Sequence, residues 1–586
     1  MTNPVIAAID APEPRHGFAD SRRLTGPNRY FDGAAATLTP LGEAATDPSA
    51  LQDWAARVRT VASALGWPDP MPVIERRTAG TILAFKAPRN AQLTATDLGE
   101  WAWERAAARA GEFSFDLAQN LGDDPTAMLA ARAAEERRTE LSALRAAASD
   151  HRLPIFEDDV AVSIGAGSGS RTWQRNALPA PGAVSFRSLH DVPTALVAGS
   201  NGKTTTVRLL AAMAAAADLT PGYCCTEGVF VGGQAVALGD YSGPDGARSV
   251  LRHPNVQLAV LETARGGILR RGLAVKRADV AVVTNIQADH LGEYGIENAD
   301  DLAETKLVVA RAVCRDGTLV LNADNATLMA AATRLPHAAA ARPALFALEF
   351  AHPALVTLRV RGGSTCAVRE GQLVLHHAGQ ECLLGEVVRL PLTLDGAASY
   401  NVANLAAAAL AGAALGLPLA SVASTVRRFG AVPQDNPGRL ERWRLHGAQV
   451  LIDFAHNPDA LGQLLRTARA LRPQRLCLLL GQAGNRDDNA IAELARTAAG
   501  FEPDCVVIKE LPLVLRGRAL GEVPALIKGA LLGAGVAAER IRTEPDEETA
   551  ARTLLDAAKS GDVIVLPVHT REVRERLRAI LDPFRQ

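Results

Sequence analysis

The run Gly199-Ser200-Asn201-Gly202-Lys203-Thr204-Thr205-Thr206 decides how this chain is read. Before it stands Thr194 to Ala198, a short apolar segment that predicts a buried strand. After it, Val207 to Ala217 predicts a helix. Strand, glycine turn, lysine, threonine and helix in that order make a phosphate cradle, a P-loop. The glycines let backbone N–H groups converge on an anion, and the helix N-terminus adds partial positive charge. Lys203 can reach terminal phosphates, and the Thr204 hydroxyl can ligate Mg²⁺. The general pattern has glycine at position 197, where this chain has Val197, so the turn is the shorter G-x-x-G-K-T form. A plain glycine turn with a solvated lysine is the alternative, and the agreement of strand, turn and helix signals argues against it.

A length of 586 residues suggests roughly three or four domains. Apolar residues make up 48% and charged residues 22%, as in ordinary globular proteins. The formal charge of −2 gives no basic field for nucleic acid or an anionic membrane, and 4% aromatics leave few platforms for stacking bases. Residues 1–15 carry acids and prolines rather than a secretory leader, and no uncharged apolar run is long enough to span a membrane. The seven cysteines are scattered without CxxC spacing, which predicts a reduced, cytoplasmic compartment.

The alternation of segments predicts an α/β protein in three parts. A small α+β domain occupies residues 1–165, with helices over 47–65, 95–110 and 127–148 and strands near 73–77 and 81–87. The glycine run from Gly165 to Ser170 opens a flexible linker over 166–187. A P-loop domain with a parallel sheet covers 188–432 and ends in antiparallel strands. A smaller, doubly wound domain covers 433–586. Within the first domain Glu75, Arg76, Arg77, His151 and Glu157 show no metal spacing, so it reads as a binding module.

Candidate chemistry falls where strands should end. Glu262 closes an apolar strand, where a carboxylate can hold Mg²⁺ against phosphates; a capping or salt-bridged glutamate reads equally well. Asp289 and His290 close the next strand as a metal ligand or substrate anchor, against a structural histidine. Lys306, on a helix over about 299–312, reads alone as a surface lysine. Asn404 offers a donor and an acceptor suited to an adenine edge, or caps a helix. Arg439 can pair a phosphate and Asp453 can accept from ribose hydroxyls. The loops at Asp453–Pro458 and Gly481–Asp487 each read alternatively as turns.

Taken together, these pieces resemble the Mur ligase family of ATP-dependent amide-bond ligases. The likeness covers residues 190–580 and is strongest to the carboxyl-terminal half of the cyanophycin synthetases. It is carried by Gly239–Pro244, Leu261–Arg270, Asp289–Gly292 and Asn436–Leu440. Residues 1–165 are similar, more weakly, to the amino-terminal domain of those synthetases, and the ATP-grasp domain between the two parts is expected to be missing. The resemblance implies ATP and Mg²⁺, an acyl phosphate, and capture of that acyl group by an amine. It implies that Gly199, Asn201, Gly202, Lys203, Thr204 and Thr205 hold phosphates, and that Thr204, Glu262 and His290 place the metal. Asn404, Arg439 and Asp453 would hold nucleotide, and His456 would lie near the reacting groups. Lys306 stands where many members carry a carbamylated lysine. The expected partners are an amino acid and a carboxylate acceptor, either peptide or polymer, in a homo-oligomer. The competing reading is a nucleotide-binding scaffold or partner subunit of a separate ATP-grasp synthetase. Leu511 to Leu515 stand where the family is more acidic, which argues against simple transfer of a cationic amino-acid substrate.

Overall fold

The computed structural model describes residues 17–78, 80–109, 120–289 and 291–584. The described residues divide into two compact units: those within 1–199, 219–319 and 326–342 form the first, and those within 200–218, 320–325 and 343–586 the second.

The first unit begins with an antiparallel sheet of order β1-β2-β4-β3, made of β1 (Phe18–Leu24), β2 (Ala35–Pro40), β3 (Val73–Arg77) and β4 (Gly80–Lys86). The helices Pro48–Ala64 and Gln92–Arg109 cover it, and Trp54 and Trp103 are fully buried in the same core as Phe85. This is the expected α+β arrangement. The helix expected over 127–148 is two helices, Thr126–Glu136 and Thr139–Asp150, with Arg137 and Arg138 extended between them. Periodicity could not show the break. Glu136 is held at the start of another helix, accepting from Leu93 N (2.9 Å) and Thr94 N (3.0 Å).

The glycine run is not a flexible linker. It sits between β6 (Ala161–Ile164) and β7 (Arg171–Gln174), which join β5 (Ile155–Glu157) in a three-stranded sheet. Ala166 N donates to His190 O (2.9 Å) and Ser168 N to Val256 O (2.7 Å). A Cβ at Gly167 would lie 2.2 Å from Val256 O, so glycine here serves close backbone packing.

The first unit's larger sheet runs β11-β10-β9-β12-β8-β13-β14. Its strands are β8 (Thr194–Ala198), β9 (Pro221–Cys225), β10 (Gly228–Val231), β11 (Gln234–Leu238), β12 (Leu258–Glu262), β13 (Ala278–Val283) and β14 (Val313–Asn322). β9, β12, β8 and β13 are parallel neighbours, and every residue of β8 and β12 is buried. A strand covered on both faces needs a continuous apolar run, which is how these segments read.

In the second unit β15 (Arg342–Glu349) pairs in parallel with β16 (Ser364–Arg369), and β17 (Gln372–His377) and β18 (Gln380–Glu386) continue antiparallel. The helix Lys203–Ala215 packs on the alanine-rich helix Ser399–Ala414. Beyond them lies a six-stranded sheet of order β19-β20-β24-β21-β22-β23. It is formed by β19 (Glu441–Leu445), β20 (Ala448–Asp453), β21 (Arg475–Leu480), β22 (Cys505–Lys509), β23 (Ile541–Glu544) and β24 (Asp562–Pro567), parallel apart from β19. Alternate residues face opposite cores. Leu476, Leu478 and Leu480 meet Leu464 and Ile491 on one side, whereas Cys477 and Leu479 meet Leu554 and Leu577 on the other. Helices on both faces give the doubly wound form expected. Among the described residues no helix is long and apolar enough to cross a membrane.

Candidate active site

In the first unit three parallel strands end together. Glu262 stands opposite Val197, and Val283 opposite Ala198. Past the register, Thr263 N donates to Val197 O (2.8 Å) and Thr284 N to Ala198 O (3.0 Å). Both β12 and β13 are thereby tied to the strand that delivers Gly199. Gly199 has φ +142°, and a Cβ there would lie 1.9 Å from Thr284 Oγ1. Glu262 is buried at the carboxyl end of β12. His290 lies outside the described residues.

Lys306 is not a surface lysine. It is 5% exposed, and its Nζ donates to Gly199 O at 2.9 Å. It ends the helix Ala299–Lys306, capped by Asn298 Oδ1, which accepts from Asp301 N (3.0 Å). The amino-terminal residues grip this helix. Arg77 pairs with Asp301, and Arg29 reaches Asp301 (3.2 Å), Glu304 (2.8 Å) and Glu75 (3.1 Å). Tyr30 Oη donates to Glu75 Oε2 (2.8 Å). Burial pushes the Asp301 carboxyl up, but the Glu297 N–H and Arg77 outweigh it and hold the carboxyl below its ordinary value. Glu75 and Arg77, read in sequence as lacking any metal spacing, therefore position the helix that bears Lys306.

In the second unit Gly202 takes φ +83° and caps the helix Lys203–Ala215. A Cβ at Gly202 would sit 2.1 Å from Asn404 Oδ1. Asn404 lies inside the helix Ser399–Ala414, so it is no helix cap; its Nδ2 donates to Asn401 Oδ1 (3.0 Å). Lys203 Nζ donates to Ser200 O (3.0 Å). Asn201 Nδ2 donates to Asp459 Oδ2 (2.9 Å), and Asn457 Nδ2 to Asn201 Oδ1 (3.0 Å). Arg439 Nη2 donates to Thr204 Oγ1 (3.3 Å), Asn436 Nδ2 to Thr205 Oγ1 (3.2 Å), and Arg208 Nη1 to Pro437 O (2.8 Å). The segments 201–208 and 436–459, distant in sequence, thus share one hydrogen-bonded cluster.

Arg439 lies over the Phe454 ring at 4.5 Å. Asp453 Oδ2 accepts from Leu440 N (2.7 Å); desolvation raises this carboxyl, while Arg439 pulls it the other way. Asn436, Arg439, Leu440, Trp443 and Leu392 line a cavity of 830 Å³, within the ~300–1,000 Å³ range of small-molecule sites. His456 Nδ1 lies 3.1 Å from Phe454 O, and Gln482 Nε2 donates to His456 O (3.0 Å).

A buried group behind this loop escaped the sequence reading. Lys509 at the end of β22 pairs with Glu547 and reaches Pro567 O, and Glu547 Oε1 accepts from His569 N (2.7 Å). His569 Nε2 lies 3.1 Å from Ala455 O, so the group abuts the loop that holds His456. Its three members come from three separate strand ends, and no spacing links them. Among the described residues no group of three or more His, Cys, Asp and Glu is placed to hold a metal ion. Mg²⁺ bound to a nucleotide needs no such cage, because one or two carboxylates and the phosphates suffice.

Residues 197–412 match the Mur ligase middle domain and residues 438–567 the Mur ligase glutamate ligase domain. The chain belongs to the Mur ligase family, whose members are ATP-dependent amide ligases. Cyanophycin synthetase from Synechocystis sp. (strain ATCC 27184 / PCC 6803 / Kazusa) is 34% identical over 66% of this chain and 44% of its own length. A 2,6-diaminopimelate-adding UDP-N-acetylmuramoyl-L-alanyl-D-glutamate ligase from Xanthomonas campestris pv. campestris (strain 8004) is 29% identical over 66% of this chain and 74% of its own. Among solved structures, E. coli FolC in complex with DHPP and ADP aligns with a TM-score of 0.47 at 19% identity, over 67% of this chain and 89% of that one. The chain spans less than half the length of the cyanophycin synthetase it matches.

Proposed function

We propose that the chain is an ADP-forming ligase that joins an amino acid to a carboxylate of an amino acid, a peptide or a cyanophycin-like polymer. The observation that carries this reading is the cluster around the glycine turn. Gly202 caps a helix whose Thr204 and Thr205 hydroxyls are met by Arg439 and Asn436. A helix N-terminus lined with hydroxyls, a lysine and an arginine suits a polyphosphate.

In this reading Gly199 to Thr205 bind the phosphates, and the 830 Å³ cavity beside Arg439 takes the nucleoside. Asn404 fixes the turn at Gly202, and Asp453 accepts from the ribose. Glu262, Thr204 and His290 would hold Mg²⁺, whose charge would screen the γ-phosphate from the incoming carboxylate. A carboxylate oxygen attacks the γ-phosphorus and ADP leaves. The amine nitrogen then attacks the acyl carbon, and inorganic phosphate leaves with the carbon–oxygen bond electrons. Lys203 balances charge on the transferring phosphoryl group. Because His456 Nδ1 faces a carbonyl, Nε2 is its basic nitrogen and the candidate acceptor of the amine proton. Lys306 keeps Gly199 in place through its carbonyl.

Purified protein offered ATP, Mg²⁺ and a panel of amino acids with acidic peptides should release ADP only when amine and carboxylate are both present. ATP binding without any paired-substrate ADP release would overturn the reading.

A further inference from the structure

A second cavity, of 700 Å³, lies in the first unit and is lined by none of the residues assigned to the candidate active site. Its walls come from residues 23–26 and 89–93, from 135–175 and from 245–276. Eight arginine and lysine side chains line it, against six carboxylates. Four of those carboxylates are already engaged. Glu157 pairs with Arg89 (2.8 Å) and Arg145 (2.5 Å), Asp158 with Arg252, and Asp245 with Arg248. Glu136 accepts from the backbone at Leu93 and Thr94.

The cations are less well matched. Among the described residues no carboxylate stands within ion-pair distance of Arg23, Arg138, Arg271 or Lys276. Like charges face one another here. Desolvation in the concavity and then Arg89 and Arg145 pull the Lys276 ammonium below its ordinary value, with Glu157 opposing. Desolvation and then Arg23 do the same to Arg271, with Asp245 opposing. Uncompensated cations around a hollow lose that mutual repulsion when an anion lies between them, and guanidinium forks match carboxylate and phosphate oxygens in pairs.

We propose that this cavity binds a small, multiply charged anion, bearing carboxylates or phosphates, with Arg23, Arg271 and Lys276 as its anchors. The volume fits a ligand of ordinary small-molecule size. Arg271 ends the helix Arg265–Arg271, which begins three residues after Glu262, so an occupant would touch an element leading directly from that strand end.

Titration calorimetry of the full chain with inorganic tripolyphosphate, with triglutamate and with neutral triglutamine tests this. One or both anionic probes should bind and triglutamine should not; the probe that binds names the phosphate or carboxylate source. Lys276→Gln and Arg23→Gln should each weaken that binding about tenfold. Binding at the cavity should persist in Lys203→Gln protein, where tripolyphosphate on the glycine turn is weakened, so that the two sites are told apart. If either glutamine variant melts early, Lys276→Arg and Arg23→Lys must retain binding. Failure of both anionic probes to bind, equal binding of triglutamine, or undiminished binding by the glutamine variants would overturn the proposal.

Discussion

Two glycine-rich turns in this chain are alike in composition and opposite in use. At 165–169, would-be Cβ atoms meet backbone: Gly169 O at 2.1 Å from Gly165, Val256 O at 2.2 Å from Gly167 and His190 O at 2.4 Å from Gly169. At 199–202 they meet polar side-chain tips, Thr284 Oγ1 at 1.9 Å and Asn404 Oδ1 at 2.1 Å. The first turn is closed by its own fold. The second ends in a helix N-terminus with a lysine and two hydroxyls beside it, a surface complementary to an anion. Glycine content alone does not separate linker, packing and binding; the residues after the glycines do.

Substitutions should split the two turns cleanly. Lys203→Ala should lower paired-substrate ADP release by about 10²–10³-fold, the worth of one preorganised electrostatic contact, while the melting temperature hardly moves. Steady-state ADP assays alongside calorimetry check both halves. Asp301→Asn acts through the helix that carries Lys306. It leaves Arg29 and Arg77 facing an uncharged amide, so stability should fall by about 3 kcal/mol in urea unfolding, with kcat reduced more than the KM for ATP. Gly167→Ala should cost about 1–3 kcal/mol through overpacking against Val256 O, with turnover per folded molecule unchanged. Lost turnover at full stability would erase the contrast between the two turns.

The smallest expected effect concerns pH. Desolvation and then Lys509 depress the His569 pKa below its ordinary 6.5, against the opposing pull of Glu547. The unfolded chain therefore binds the proton first. The stabilisation is complete above about pH 6.5 and is lost as pH falls, by at most ~1.4 kcal/mol per pH unit. His569→Gln should flatten the slope of melting temperature against pH just below 6.5. An unchanged slope would show that His569 does not supply that term.

What was legible in the sequence was what local pattern encodes. Buried parallel strands need unbroken apolar runs, so β8 and β12 stood out, and chemistry-bearing loops come after their carboxyl ends. Nothing local encodes a pairing such as Arg77 with Asp301 or Lys509 with Glu547, because each joins elements brought together only by the fold. The same holds for the break at Arg137, next to Glu136, whose carboxylate accepts from Leu93 N and Thr94 N on another helix. Lys306 read as solvated because a lone lysine on a short helix usually is; its burial results from the strand end it faces.

Activation of a carboxylate by phosphorylation leaves an atomic trace. With an acceptor labelled with ¹⁸O in its carboxylate, the account predicts inorganic phosphate carrying one ¹⁸O per turnover, read as an isotope-shifted ³¹P resonance. Amide formation accompanied by wholly unlabelled phosphate would contradict it.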